Sequence, residues 1–303
     1  MKTKTAVWLI IAASLVLLGS ILFASVMATL NWDFMKLSTV TYETNTHEIH
    51  EEFNGISMNT DTADIVFVLS EKETCRVVCR EEARATHTVT VKDGTLTVEL
   101  MDERSVSDFI GYIGLRFDAP KIAVYLPETK YASLFIKEST GDIEIPKDFD
   151  FNTVDISLST GDVEVYASAS EAMKIKTDTG NILVENITAG ALDLSVSTGR
   201  VILRDVACKS VLSSGDTGDI FLKDVIAAET VSVKRSTGDV IFERCDAAEL
   251  SIETDTGKVK GSLLSDKVFI TQTDTGRIKV PQTVTGGKCE VSTDTGNITI
   301  TID

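Results

Sequence analysis

From Leu134 onward, apolar and polar positions alternate in short bursts that return at a fixed interval. Thr-Gly marks the interval, at 140–141, 160–161, 179–180, 198–199, 217–218, 237–238, 256–257, 275–276 and 295–296. Its glycines, Gly141, Gly161, Gly180, Gly199, Gly218, Gly238, Gly257, Gly276 and Gly296, recur at intervals of about 19–20 residues. Seven positions before each stand Leu134, Val154, Met173, Leu192, Val211, Val231, Leu250, Phe269 and Cys289, all apolar. Two positions after each stand Ile143, Val163, Ile182, Val201, Ile220, Val240, Val259, Ile278 and Ile298, all β-branched. Five before, the series is apolar except at Ser213 and Thr271, and four after it is broken only by Gly261.

Alternation with period two predicts strands with one buried face. Odd offsets point inward before the glycine and even offsets after it, which an uninterrupted strand cannot do. The chain therefore turns a corner at Thr-Gly-x, and glycine is expected there because it reaches φ > 0 freely. On this parity the Thr of each pair, like Thr177, Thr254, Thr273 and Thr293 two residues earlier, is expected to face inward. One corner at each such interval describes a coil, and a coil buries its inner face only by stacking on others. The predicted fold is all-β: a single-stranded β-solenoid over 131–303, with successive coils paired in parallel. Nine coils at about 4.8 Å make a rod of roughly 43 Å. Small, polar stretches such as Asn186–Ala191 and Asp246–Ala248 suit the remaining bends, and Ile187, Val206, Val225, Cys245 and Leu264 form a further inward series.

Upstream, 41–130 reads as a degenerate β extension or N-terminal cap. Thr62-Ala63-Asp64-Ile65 imitates the corner with Ala in place of Gly, and 87–100 reads as a hairpin around Lys92-Asp93-Gly94. Residues 121–130 read as a strand leading into the first regular coil. Asp102–Ala119 breaks the pattern and offers either an end cap or a partner-binding loop.

Ahead of all this, Ala6–Leu30 is a mostly apolar run. As a helix, its length of about 37 Å would cross a hydrocarbon core of about 30 Å. Residues 1–5 are assigned to the cytoplasm, 6–30 to a transmembrane signal anchor and 31–40 to a linker. Lys2 and Lys4 precede the run and no basic cluster follows it, so the positive-inside rule exports the rest. Cleavage near Val26-Met27-Ala28 is the competing reading, although the run exceeds an ordinary signal-peptide core.

Composition narrows the function. Aromatic residues make up 6% of the chain and the net charge is −17, a sign that disfavours nucleic acid and anionic lipid as partners of the domain. The five cysteines fit no zinc spacing. Cys75 and Cys79 would share a strand face about 13 Å apart, too far for a disulfide, so the thiols are expected to pack as small hydrophobes.

STGDIEI (139–145), STGDVEV (159–165), DTGDIFL (216–222) and STGDVIF (236–242), with DGTLTVEL and VYLP upstream, resemble the bacterial putative-adhesin family, a domain of unknown function. The resemblance covers about residues 41–303. It implies an N-terminal anchor and a surface-exposed β-solenoid, with a link in some members to envelope-stress systems. It brings no catalytic residues. Arg200, Lys258 and Arg277 replace the Asp that follows Gly, so no unbroken Asp ladder is expected.

The residues raise three chemistries. Asp255, Asp274 and Asp294, from consecutive coils, are the candidate ligands for a hard cation such as calcium. Asp and Ser are also ordinary turn residues, so no metal site is assigned. Water-organising threonine arrays need outward threonines, which the inward parity does not supply. Catalysis finds no support: His47, His50 and His87 precede the regular coils without a helix to place them, and no nucleophile elbow or P-loop occurs. Polysaccharide-cleaving β-helix enzymes use long loops that these coils lack. No cofactor is expected.

The reading is a noncatalytic, membrane-anchored extracytoplasmic module for binding, adhesion or envelope-stress sensing. Its alternative is a structural spacer without a ligand site. An envelope or cell-wall component is the expected partner. Because Asn297–Ile302 ends the array, it is expected to form an open edge that invites self-association.

Overall fold

The computed structural model describes residues 2–33, 42–103 and 119–303. Residues 104–118, most of the pattern-breaking insertion, and 34–41, most of the linker with the residue after it, lie outside the described residues. The chain divides into two compact units, one containing the N-terminal helix and the other Glu43–Asp102 with Pro120–Asp303. The helix, α1, spans Lys2–Thr29. Its segment Thr5–Thr29 is long and apolar enough to cross a membrane.

The second unit is a β-solenoid. Its strands, in chain order, are β1 (Tyr42–Ile49), β2 (Gly55–Asn59), β3 (Asp64–Leu69), β4 (Cys75–Glu82), β5 (Ala85–Lys92), β6 (Thr95–Asp102) and β7 (Lys121–Leu126). Then follow β8 (Lys130–Thr140), β9 (Ile143–Ile145), β10 (Asp150–Thr160), β11 (Val163–Val165), β12 (Ser168–Thr179), β13 (Ile182–Thr198) and β14 (Val201–Thr217). The last are β15 (Ile220–Thr237), β16 (Val240–Thr256), β17 (Val259–Leu263), β18 (Lys267–Thr275), β19 (Ile278–Lys279), β20 (Gly287–Thr295) and β21 (Ile298–Ile302).

Neighbouring coils pair in parallel and in register, so that Leu192 lies beside Val211, and Thr198 beside Thr217. The apolar columns at seven before and two after each glycine are buried in every coil but one. Burying each such side chain stabilises by roughly 1.5–3 kcal/mol, and stacking is what supplies the burial.

The corner glycines answer to two constraints. Gly141, Gly161, Gly180, Gly199, Gly218 and Gly238 have φ between 125° and 148°. Gly257, Gly276 and Gly296 lie outside that left-handed region, yet a Cβ on any of the nine would fall on the corner carbonyl of the adjacent coil. Close backbone approach between coils, rather than dihedral freedom, is the requirement common to the column. A second corner lies six residues on in four middle coils, where Asn186, Asp205, Asp224 and Arg244 hold φ of 51–56°. Asn and Asp enter that region most readily among non-glycine residues, and Arg244 is the exception.

Three expectations need correction and one break in the pattern is explained. First, the coils do not stack in chain order at the C-terminal end. β20 pairs with both β16 and β18, and β21 with both β17 and β19. The last coil is thus inserted second from the end, and Asn297–Ile302 is a covered strand rather than an open edge. The coil of β18 and β19 is outermost, which is why Ile278 is 44% exposed while Ile298 is buried. The other end shows the same exchange: β2 lies between β6 and β8, and β3 between β7 and β9. Each terminal coil is held on both sides, which removes the fraying a free terminal strand would suffer.

Second, the Thr preceding each corner glycine is exposed in all nine coils; the chain has already begun to turn, so strand parity no longer applies. Third, Leu264 is exposed and Leu263 fills the inner column beside Cys245, because this coil has no counterpart to Arg244, the αL residue of the coil before it. Fourth, Gly261 breaks the apolar column because the Phe242 ring occupies the space its side chain would take.

Upstream, Thr62–Ala63 continues the corner column: the Ala63 amide donates to the Thr140 carbonyl at 3.1 Å. β5 and β6 form the antiparallel hairpin around Asp93 and Gly94, both at positive φ. β7 pairs in parallel with β3 and antiparallel with β4.

Candidate functional site

Where the residue after the corner is Asp or Asn, its side chain acts on the backbone. Asp64 Oδ1 accepts the Asp142 amide at 3.0 Å, Asp142 Oδ1 that of Asp162 at 2.8 Å, and Asp162 Oδ1 that of Asn181 at 2.7 Å. The series continues through Asn181 to Arg200, Asp219 to Asp239, Asp239 to Lys258 and Asn297 to Arg277. Side chains therefore satisfy corner amides that the strand ladder leaves over. Arg200 and Lys258 can receive this bond but cannot pass it on, which breaks the ladder.

Inside the corner, Thr177, Thr254, Thr273 and Thr293 donate their hydroxyls to the carbonyls of Gly161, Gly238, Gly296 and Gly257 at 3.0–3.4 Å. These four threonines do point inward, so the parity argument holds three residues before the glycine and fails one residue before it.

Asp255, Asp274 and Asp294 are all exposed. Their coils stack in the order 255, 294, 274, following the exchanged end. They do not belong to the one close group of metal-ligating atoms found among the described residues. All five cysteines are free. Cys245 and Cys289 are buried in the core, and burial pushes their thiols up to about 11 and about 12.

Among the described residues, the buried charged side chains include Glu138 and Arg235, which no local pattern announces. Glu138 is buried, with Oε1 accepting the Ala63 amide at 3.1 Å and Oε2 without a partner. Burial pushes its carboxyl up to about 8; repulsion from Asp61 and Asp64 adds to this, against backbone hydrogen bonds that lower it. Arg235 is the largest fully buried side chain among the described residues, and its Nη1 donates to the Val196 carbonyl at 2.8 Å. Its Nε and Nη2, and the Ser213 hydroxyl, are enclosed without partners.

The close group lies on β4 and β5, in the segment that the sequence reading takes as an N-terminal cap. Cys79, Glu81 and His87 bring a sulfur, a carboxylate oxygen and an imidazole nitrogen within 4.8 Å of one another, all on buried residues. The sequence offers no helix to hold the histidines in metal-ligand register; strand pairing is what brings His87 to this group. Cys79 and Glu81, two apart on β4, share a face, and β5 returns through a tight turn that pairs Glu82 with Ala85. The adjacent period-two positions on β4 were the only local hint.

A parallel β-solenoid with backbone-packed Thr-Gly corners is the class of protein this fold defines. The chain belongs to the Toastrack DUF4097 family, whose sequence profile matches residues 53–301. No curated protein sequence matches it significantly. Among solved structures, it is similar to one described as a putative lipid binding protein from Parabacteroides distasonis, at 15% identity and TM-score 0.50, over 86% of this chain and 97% of that one. Similarity extends to a putative adhesin from Bacteroides fragilis (16% identity, TM-score 0.47, 87% and 97% covered). A putative adhesin from Parabacteroides merdae also matches (12%, 0.48, 88% and 98%). An identity so low makes the first of these a likeness of fold alone.

Proposed function

We propose that this protein is a noncatalytic binding module, anchored in the cell membrane by α1 and displayed outside the cytoplasm, where it engages an envelope protein. Lys2 and Lys4 ahead of the apolar segment favour a cytoplasmic N-terminus. The acidic balance argues against nucleic acid as the partner.

The observation that carries the binding role is the outermost coil. Among the described residues β18 pairs only with β20, and β19 only with β21. Beside that open edge Val268, Ile270 and Ile278 are 39%, 52% and 44% exposed. An edge strand with exposed aliphatics is suited to strand addition by a partner. This replaces the C-terminal strand as the contact surface.

Full-length protein in detergent, used to capture partners from envelope extract, tests the reading. Wild type should retain a specific envelope protein, or a second copy of itself, that the double variant Ile270→Lys, Ile278→Lys loses. Retention of the same proteins by both would refute edge recognition. Recovery of no partner by either would leave the spacer as the better account.

A further inference from the structure

The cap cluster is more than a salt bridge. Glu81 is fully engaged: Oε2 accepts the His87 amide and His87 Nδ1, each at 2.6 Å, and Oε1 accepts Asn45 Nδ2 at 2.7 Å. These bonds hold the imidazole through Nδ1. They leave His87 Nε2 enclosed without a partner, although the side chain is only 3% exposed. An enclosed ring nitrogen with no partner is costly and requires an explanation. His47 Nε2 is enclosed and unpartnered as well. His47 lies two residues beyond Asn45 on β1, hence on the face that reaches Glu81, and β1 pairs with β4. Cys79, 0% exposed, supplies the sulfur.

We propose that this cluster is a binding site for one thiophilic divalent cation of the zinc type. Cys79 Sγ and His87 Nε2 are ligands, His47 is the further nitrogen donor, and Glu81 is the positioning residue. Sulfur, imidazole nitrogen and a nearby carboxylate are the donor set preferred by zinc rather than by calcium or magnesium. A carboxylate bonded to one ring nitrogen fixes the tautomer that offers the other to a metal. Binding would release the thiol proton and tie β1, β4 and β5 together at the cap. Because the donors are enclosed, the cation enters as the domain folds.

The test uses the full chain in detergent, purified without chelator from cells grown with zinc or with cobalt. The expected result is about one zinc per chain. The cobalt form should show a thiolate-to-metal charge-transfer band. Cys79→Ser and His87→Gln should abolish both signals, while Cys208→Ser, outside the cap, should leave them unchanged. Glu81→Gln should weaken zinc retention about 10–100-fold against a competing chelator, as loss of an orienting partner does. Wild-type protein that is folded by circular dichroism yet carries no stoichiometric metal and no charge-transfer band would overturn the proposal. So would a folded Cys79→Ser chain that keeps its zinc. Neither result depends on whether the β18 edge binds a partner.

Discussion

The guanidinium of Arg235 fills the space that a side chain at Gly215 would occupy, and through it reaches the carbonyl of Val196 two coils away. The two residues face each other in register on adjacent strands. In the same column other coils carry Val196, Thr177 or Thr254, so a large buried cation is matched here by the absence of any side chain below it. Gly215→Val should evict the guanidinium and destabilise the domain by roughly 3 kcal/mol or more, the scale of a broken buried charge interaction. Adding Arg235→Thr should recover most of that loss. Additive effects in chemical denaturation, with no coupling between the two sites, would contradict this relationship.

Glu138 predicts a pH dependence. Its carboxyl is pushed up to about 8 from an ordinary value of 4.5. The folded state therefore holds a proton that the unfolded chain releases near 4.5. Between those values the folded state binds more protons, so stability falls as pH rises, and the full penalty is present above about 8. Glu138→Gln should flatten this slope and raise stability at pH 9 by at most about 5 kcal/mol, with little change at pH 4. Melting temperatures across that range are the measurement, and parallel curves for the two proteins would exclude the carboxyl as their cause.

The exchanged end makes a paired prediction. Ile298 is fully buried between two coils, whereas Ile278 lies on the outermost coil. Ile298→Ala should lower stability by about 2–4 kcal/mol. Ile278→Ala should lower it by under about 1 kcal/mol, since less apolar surface is removed from a solvent-facing site. Stacking in chain order would reverse the two.

At the corners, Gly199→Ala would place a methyl on the Gly180 carbonyl, where neither backbone has room to withdraw without breaking register. A loss of roughly 3 kcal/mol is expected, read as a lower denaturant midpoint. An unchanged midpoint would mean the coils can separate locally.

Much of this was written locally. The regular recurrence of Thr-Gly, the inward columns at Leu192 or Val201, and the helix-forming apolar run are each set by a residue's own hydrophobicity and spacing. Those properties act within one coil, so they can be read along the chain. What the Thr-Gly repeat did not encode is which coil lies beside which. Near-identical coils offer near-identical edges, and only the assembled stack places Thr295 between Thr256 and Thr275. The same is true of Thr198, whose outward turn depends on the rotation of the corner, and of the slot shared by Gly215 and Arg235. Cys79, Glu81 and His87 converge because a hairpin in the cap brings them together. The inner faces were specified by sequence because burial is a property of single positions. The ends, the buried charges and the cap cluster were decided by tertiary structure because each depends on contacts between segments whose patterns name no partner.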